Sequence, residues 1–327
     1  METKIHIALV TVPVYSHLRS ILEFTKRLVH LNQNIHVTCI NPTFSSSICN
    51  NVKSLFETLP SNINYMFLPP INLEDLPKDI HPALKVEATL HRSIPSIYDA
   101  LDTLHSSSKL VAVISDGLIN EVLRLTKKLD ILAYSYFPST TMLLSLCLHS
   151  SSLDKTISSA NKDLLEPLEI PGCIPIHGTD LPDPMLDRSS EAYKIFLEAN
   201  DRFYLADGIM VNSFLALEET TIRALQEKED EGIPSIYPIG PFVQNVSCDN
   251  GSDLEYFCGT LFSEQILELA FGLELSGQNF LWVLRPPNKH GVIDDLDSGE
   301  YEDDILYNFL PNEFLERTSY KPVLRTG

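Results

Sequence analysis

His17 stands where an apolar run, IHIALVTVPV, gives way to the helical-looking segment LRSILEFTKRLVHL. Asp116 ends a second apolar run, LVAVISD, far along the chain. An imidazole and a carboxylate at the ends of two buried strands can act as one unit: the carboxylate accepts a hydrogen bond from one ring nitrogen, and the other nitrogen is free to take a proton. That unit is a general base with an orienting partner. The same residues also read as a pocket-wall or helix-capping histidine and an ordinary loop aspartate, and spacing alone does not choose between the readings.

Several other chemistries lose ground. No G-x-G-x-x-G follows the first apolar run, no G-x-x-x-x-G-K-[ST] occurs, and neither H-E-x-x-H nor G-x-S-x-G is present, which speaks against dinucleotide, P-loop, zinc-protease and nucleophile-elbow sites. Six cysteines (Cys39, Cys49, Cys147, Cys173, Cys248 and Cys258) form no C-x-x-C pair, so neither a zinc site nor a redox motif is expected and the thiols read as reduced. The acidic run Asp294 to Asp304 lacks the glycine position and closing glutamate of a calcium loop. It reads as a solvated loop.

The elements that must position the pair follow from the apolar pattern. Candidate strands are Ile5–Val12, Ile35–Ile40, Ile63–Leu68, Leu110–Ser115 and Ile131–Phe137, with helical spacing at Leu18, Ile21, Leu22, Thr25, Leu28 and Val29 and again at Leu118, Val122, Leu123 and Leu129. Strand-helix alternation of this kind predicts a parallel, doubly wound α/β sheet. Its ligands gather beyond the carboxyl ends of the strands, where His17 and Asp116 both fall. Later, the prolines of IPGCIPIHGTDLPDP predict a surface loop, EAYKIFLEANDRF a helix, and GIMVNSF and IYPIGPFV further strands. SEQILELAFGLELSG reads as a helix with an apolar stripe at Ile266, Leu269, Ala270 and Leu273, an N-cap at Ser263 and a C-cap at Gly277, before a buried strand NFLWVLR.

Composition bounds the partners. The 327 residues are 44% hydrophobic and 21% charged, with a net charge of -20, which predicts a globular chain with no nucleic-acid surface, because phosphate binding draws on clustered Lys and Arg. The amino-terminal METKIHIALVTVPV lacks the features of a signal peptide, and no window reaches the roughly 20 apolar residues of a membrane span. A cytoplasmic protein with no membrane span is the expectation.

The segments HIALVTVPVYSHLRSILEFTKRL, LEIPGCIPIHGTDLPDP, RSSEAYKIFLE, GIMVNSFLALE, YPIGPF and SEQILELAFGLELSGQNFLWVLRPP, in this order, resemble plant UDP-dependent glycosyltransferases of the GT-B fold. The resemblance covers most of residues 4–318 and is closest to the branch that glucosylates hydroquinone, monolignols and other small phenolics. It implies two Rossmann-like domains, the first holding the acceptor and the second the sugar nucleotide. It implies His17 as the base for a phenolic hydroxyl, Asp116 as the carboxylate that orients the imidazolium, UDP-glucose as a donor co-substrate, inversion at the anomeric carbon, and no metal or tightly bound cofactor. Tyr15, Leu118, Ile119, Phe137 and Met142 are the candidate acceptor contacts, with plain core packing as their alternative at such apolar positions.

The sequence also departs from the family. Val14 and Ser20 stand where the loop around the histidine carries a glycine and a proline. SDLE runs almost directly through YFCGTLF to SEQ, where the family has a strand and a glycine-rich turn at the nucleotide phosphates. The family's donor box, with a uracil-stacking tryptophan and a His-Cys-Gly-Trp-Asn-Ser run, has no counterpart, and Trp282 falls in the FLWVLR strand as a core residue. The expected organisation is an acceptor-binding domain over 1–240, a linker with an apparent deletion over 241–262, and an incomplete, truncated donor-binding domain over 263–327. The alternative to a transferase, impaired or not, is a non-catalytic acceptor-binding remnant or a partner of a full-length relative.

Overall fold

Seven short runs dominated by aliphatic and aromatic residues, β1 (Ile5–Val10), β2 (Ile35–Asn41), β3 (Ile63–Phe67), β4 (Leu110–Asp116), β5 (Leu132–Phe137), β6 (Gly208–Val211) and β7 (Ser235–Pro238), pair in parallel in the computed structural model. The order across the sheet is β3-β2-β1-β4-β5-β6-β7. The structure describes residues 5–43, 50–76, 82–157, 164, 166–229, 232–242, 263–277, 310–311 and 314–317. Two compact units divide the chain, residues 1–244 and 245–327. The proposed deletion site, Trp282 and the acidic run from Asp294 lie outside the described residues.

The central strands are apolar on both faces because helices cover both. On one face Ile7, Leu9, Val37, Cys39, Ala112, Ile114 and Tyr136 pack with Leu18, Ile21, Leu22, Phe24 and Val29 of α1 (Tyr15–Leu31) and with Leu55 and Phe56 of α2 (Asn50–Glu57). On the other face Ala8, Val10, Val113, Ala133, Phe137 and Ile209 pack with Val86, Leu90, Ile97 and Leu101 of α3 (Pro82–Ser107) and with Leu144, Cys147 and Leu148 of α5 (Thr141–Thr156). Each of these side chains contributes about 1.5–3 kcal/mol of burial where it is a full-sized aliphatic or aromatic group.

Two expectations change. The apolar spacing at Leu118, Val122, Leu123 and Leu129 does not form one α-helix. Residues Gly117–Arg124 form a 3-10 run broken at Ile119 (φ -126°, ψ 29°), and α4 covers only Thr126–Leu129. The cause is local: the Asp116 carboxylate accepts the Leu118 N–H at 3.0 Å, an aspartate turn that competes with the helical ladder.

The proline-rich segment is also more than a surface loop. It stays out of the sheet, making an isolated bridge between Leu168 and Ile176 and the short helix α6 (Asp183–Leu186). Yet Leu168, Ile170, Leu181 and Met185 build a third small core with Leu146. The remaining helices of the first unit are α7 (Glu191–Asp201) and α8 (Leu215–Gln226). In the second unit α9 spans Ser263–Ser276, with Ile266 and Ala270 buried, Leu269 exposed, and Gly277 at φ +61° beyond its end. Ser263 is the first residue of that helix rather than a residue before it.

The proline-rich segment is tied to α8 at Gly172, whose carbonyl accepts the Thr221 hydroxyl at 2.6 Å. Gly172 has φ +71°, and a Cβ there would lie 2.6 Å from the Thr221 Cα. Left-handed backbone and overpacking act together in Gly172→Ala, which is expected to lose about 2–4 kcal/mol. Urea denaturation followed by far-UV circular dichroism reads this, and an unshifted midpoint would contradict it.

Candidate active site

The apolar register of β1 and β4 sets the site. Val10 pairs with Ser115, so the two strands end side by side, at the place where the strand order reverses and a crevice opens beyond the carboxyl ends. Asp116 is the last residue of β4, and His17 lies in the first turn of α1. Their side chains meet there. His17 Nδ1 lies 2.9 Å from Asp116 Oδ2 and 3.1 Å from Oδ1. Asp116 is fully buried, whereas the His17 side chain keeps 24% of its surface exposed.

The hydrogen-bond pattern assigns the tautomer. Nδ1 carries the proton and donates to the carboxylate, which leaves the Nε2 lone pair for a proton from outside. Burial opposes the charged imidazolium, but the negative charge of Asp116 and its hydrogen bond outweigh burial and raise the His17 pKa above 6.5. Asp116 also holds the Leu118 N–H. The carboxylate is thus fixed from two sides, and the imidazole is fixed by it.

The acceptor candidates separate into different environments. Leu118 is 40% exposed and lines a small solvent-open recess with Ile119, Leu90, His91 and Arg202. Ile119 itself is buried, and Phe137 is a core side chain whose ring meets Phe203 edge-on at 5.7 Å. Tyr15 is half-buried at the start of α1, with the Arg19 guanidinium 5.6 Å from its ring centre. Met142 is half-buried in the first turn of α5, where its N–H donates to Glu218.

Polar residues for which the motifs implied no role in the site complete the surroundings. Glu218 accepts the N–H groups of Thr141 and Met142 at 2.8 and 3.1 Å and the hydroxyl of Ser213, seating the start of α5 from the neighbouring α8. Burial works against that carboxylate, but the donors outweigh it and hold its pKa below the usual range. Arg202 bridges Glu87 at 3.0 Å and Glu121 at 3.2 Å along the recess. Ser20 and Tyr136 hydroxyls meet at 2.5 Å beneath His17's helix. The sequence carries no signal for Tyr136, whose place opposite Asp116 is set by the β4–β5 register; Ser20 lies one helical turn from His17.

Comparison with known proteins decides the family. The chain is 40% identical over 342 aligned residues to the hydroquinone glucosyltransferase of Rauvolfia serpentina, covering 99% of this chain and 72% of that protein. The chain belongs to the plant UDP-glycosyltransferase family. A further relative of this glycosyltransferase is UDP-glycosyltransferase 72B3 of Arabidopsis thaliana, 35% identical with 97% and 69% of the two chains covered. Among solved structures, a Polygonum tinctorium UDP-glucosyltransferase capable of glucosylating indoxyl, complexed with 3,4-dichloroaniline, aligns at TM-score 0.78 and 34% identity over 96% of this chain and 69% of its own. Phytolacca americana UGT2 complexed with UDP-2fluoro-glucose and pterostilbene aligns at 0.76 and 34% over 95% and 69%. No family model matches the sequence. The α/β, GT-B-like fold expected of the glycosyltransferase is the one these neighbours share.

The raised His17 pKa links the glycosyltransferase's site to pH. The imidazole binds its proton more tightly folded than unfolded, so the stability from its pairing is complete below pH 6.5 and is lost as pH rises through the raised value. The neutral form able to act as a base grows over that same upper range. In Asp116→Asn the attraction is gone and burial acts alone, so the His17 titration falls below 6.5. NMR titration of the ring nitrogens measures it, and an unchanged midpoint would show that Asp116 does not set the imidazole's proton affinity.

Proposed function

We propose that residues 1–240 are the acceptor-binding domain of a UDP-glucose-dependent glucosyltransferase for small phenols, with His17 as general base and Asp116 as its orienting carboxylate. The observation that carries the reading is the seat of His17 Nδ1 on the buried Asp116 carboxylate. A phenolic hydroxyl, with a pKa near ~10, is mostly protonated at neutral pH and gains from a base as it attacks. Nε2 takes the phenolic proton, the oxygen bonds to the anomeric carbon from the face opposite the nucleotide, and the bond to UDP breaks with its electron pair leaving on the diphosphate. One displacement inverts the anomeric centre. Its relatives, a hydroquinone glucosyltransferase, a UDP-glucosyltransferase capable of glucosylating indoxyl and a UGT2 complexed with pterostilbene, support an aromatic acceptor of this size.

In this reading Leu118 and Tyr15 contact the acceptor, Met142 lies at its far wall, and Ile119 and Phe137 back them from the core. UDP-glucose is a co-substrate, and residues 263–327 belong to the domain that receives it. A second reading is that this chain binds phenols without transferring glucose, alone or beside a full-length relative, since the candidate acceptor contacts and the His17–Asp116 pair all fall within the first unit. A cytoplasmic location is part of the proposal. It is supported by the free state of Cys39, Cys147 and Cys173 among the described residues, where no helix is long and apolar enough to cross a membrane.

Calorimetric titration with UDP-glucose, followed by product assays with hydroquinone and with a nitrophenol, tests both readings. Transfer predicts saturable donor binding, and His17→Ala then lowers kcat/KM for hydroquinone by about 10²–10⁴, with a smaller loss for the more acidic nitrophenol, which needs less help ionising. A far-UV spectrum matching wild type excludes unfolding. Equal activity in His17→Ala would remove the base. Phenol binding without UDP-glucose binding or product would establish the second reading.

A further inference from the structure

Four residues of α1 lie on one stripe: His17, Ser20, Phe24 and Arg27, spaced three, four and three apart. The first carries the candidate base. The other three hold two things, the buried Tyr136 of β5 and the segment Gly240–Phe242 that follows β7. The Ser20 hydroxyl meets the Tyr136 hydroxyl at 2.5 Å and accepts the Asn212 side-chain N–H at 3.0 Å. Asn212 Oδ1 in turn accepts the Phe242 N–H at 2.6 Å.

The same segment is gripped farther along the stripe. The Phe24 ring stacks on Tyr136 and meets Phe242 edge-on, each at 5.5 Å. Arg27 lies 4.9 Å from the Phe242 ring centre and donates to the Pro241 carbonyl at 3.3 Å. The seat is tight. A Cβ on Gly240 would lie 2.5 Å from Asn212 Oδ1 and 2.7 Å from its carbonyl carbon, and the Gly240 N–H donates to the Ser213 carbonyl at 2.8 Å.

Tyr136 closes the loop back to the site, because it is the register partner of Asp116 on the adjacent strand. The hydroxyls of Tyr136 and Ser20 therefore join the strand beside Asp116 to the helix that bears His17, one turn beyond the imidazole. A helix held at that point cannot rotate about its axis without breaking a buried hydrogen bond. Rotation is also the motion that would swing Nδ1 away from the carboxylate.

We infer that Ser20, Tyr136 and Asn212 form a positioning chain that fixes the rotation of α1, and with it the seat of His17 on Asp116, against the Gly240–Phe242 segment. The inference deepens the proposed catalytic role of His17 and rests on it for its bearing on the reaction, but the geometry it describes is measured without turnover. None of the three residues touches the reacting atoms in this scheme. They act through His17.

Two variants test the chain in the full-length protein. Tyr136→Phe keeps the ring on Phe24 and removes only the hydroxyl, and Ser20→Ala removes the other partner. In both, the His17 ring-nitrogen titration followed by NMR is expected to fall from its raised wild-type midpoint toward 6.5, and Ser20→Thr, which restores a hydroxyl on the same carbon, is expected to return it. A structural role alone lowers the melting temperature and leaves the His17 titration in place, and that result in folded Tyr136→Phe would overturn the inference. A lowered midpoint combined with full transfer activity in His17→Ala would keep the positioning chain and dismiss the base, so the two claims fail separately.

Discussion

The lateral contact between β1 and β4 is the constraint on which the site depends. Each strand is followed by a connection to a different neighbour, so the chain leaves the sheet in two directions and a crevice opens between. Asp116 sits at its floor with no exposed surface. A carboxylate in that place needs donors, and His17 and the Leu118 N–H supply them. Losing one would leave a buried acceptor short of a partner, at a cost of about 1–3 kcal/mol. The contact that satisfies the buried carboxylate and the geometry proposed for the base are therefore the same interaction.

Rigid elements hold the pair, whereas turns and helix starts carry Leu118 and Met142 of the proposed acceptor side. That division follows from their physics. The dyad requires angles fixed to within a hydrogen bond, and a strand end and a helix turn provide them. An acceptor wall need only be apolar and suitably shaped. Leu118 is on a 3-10 turn, and Met142 is at a helix start that Glu218 clamps from α8. The proline-rich segment has its own small core around Met185, so it is anchored without joining the sheet.

The sheet was largely legible because parallel strands buried on both faces leave unbroken apolar runs, as in IHIALV and LVAVIS. The long helix α3 was not. Pro95 stands inside it, and local propensity reads it as a break, while burial of Val86, Leu90, Ile97 and Leu101 against the sheet overrides it. The turn after β4 misled in the opposite sense, since Leu118, Val122 and Leu123 have helical spacing but the aspartate side chain diverts the backbone. His17 and Asp116 were readable as strand-end residues. Glu218, Arg202 and Asn212 were not, because their roles depend on partners distant in sequence and on no local pattern.

Ser20 shows how the two levels meet. The resemblance places a proline at this position, whose ring restricts the backbone covalently. A serine imposes no such restriction, and its backbone alone would leave the turn after His17 freer. Here its hydroxyl instead engages Tyr136 and Asn212, both reached through the sheet. In this chain the turn is held by hydrogen bonds among three residues. Such control is cooperative: it exists only when β5, β6 and the Gly240–Phe242 segment are all in place. His17 is then held by the completed first unit rather than by its own loop, and the departure from the family's pattern at Ser20 becomes intelligible only once the sheet order is known.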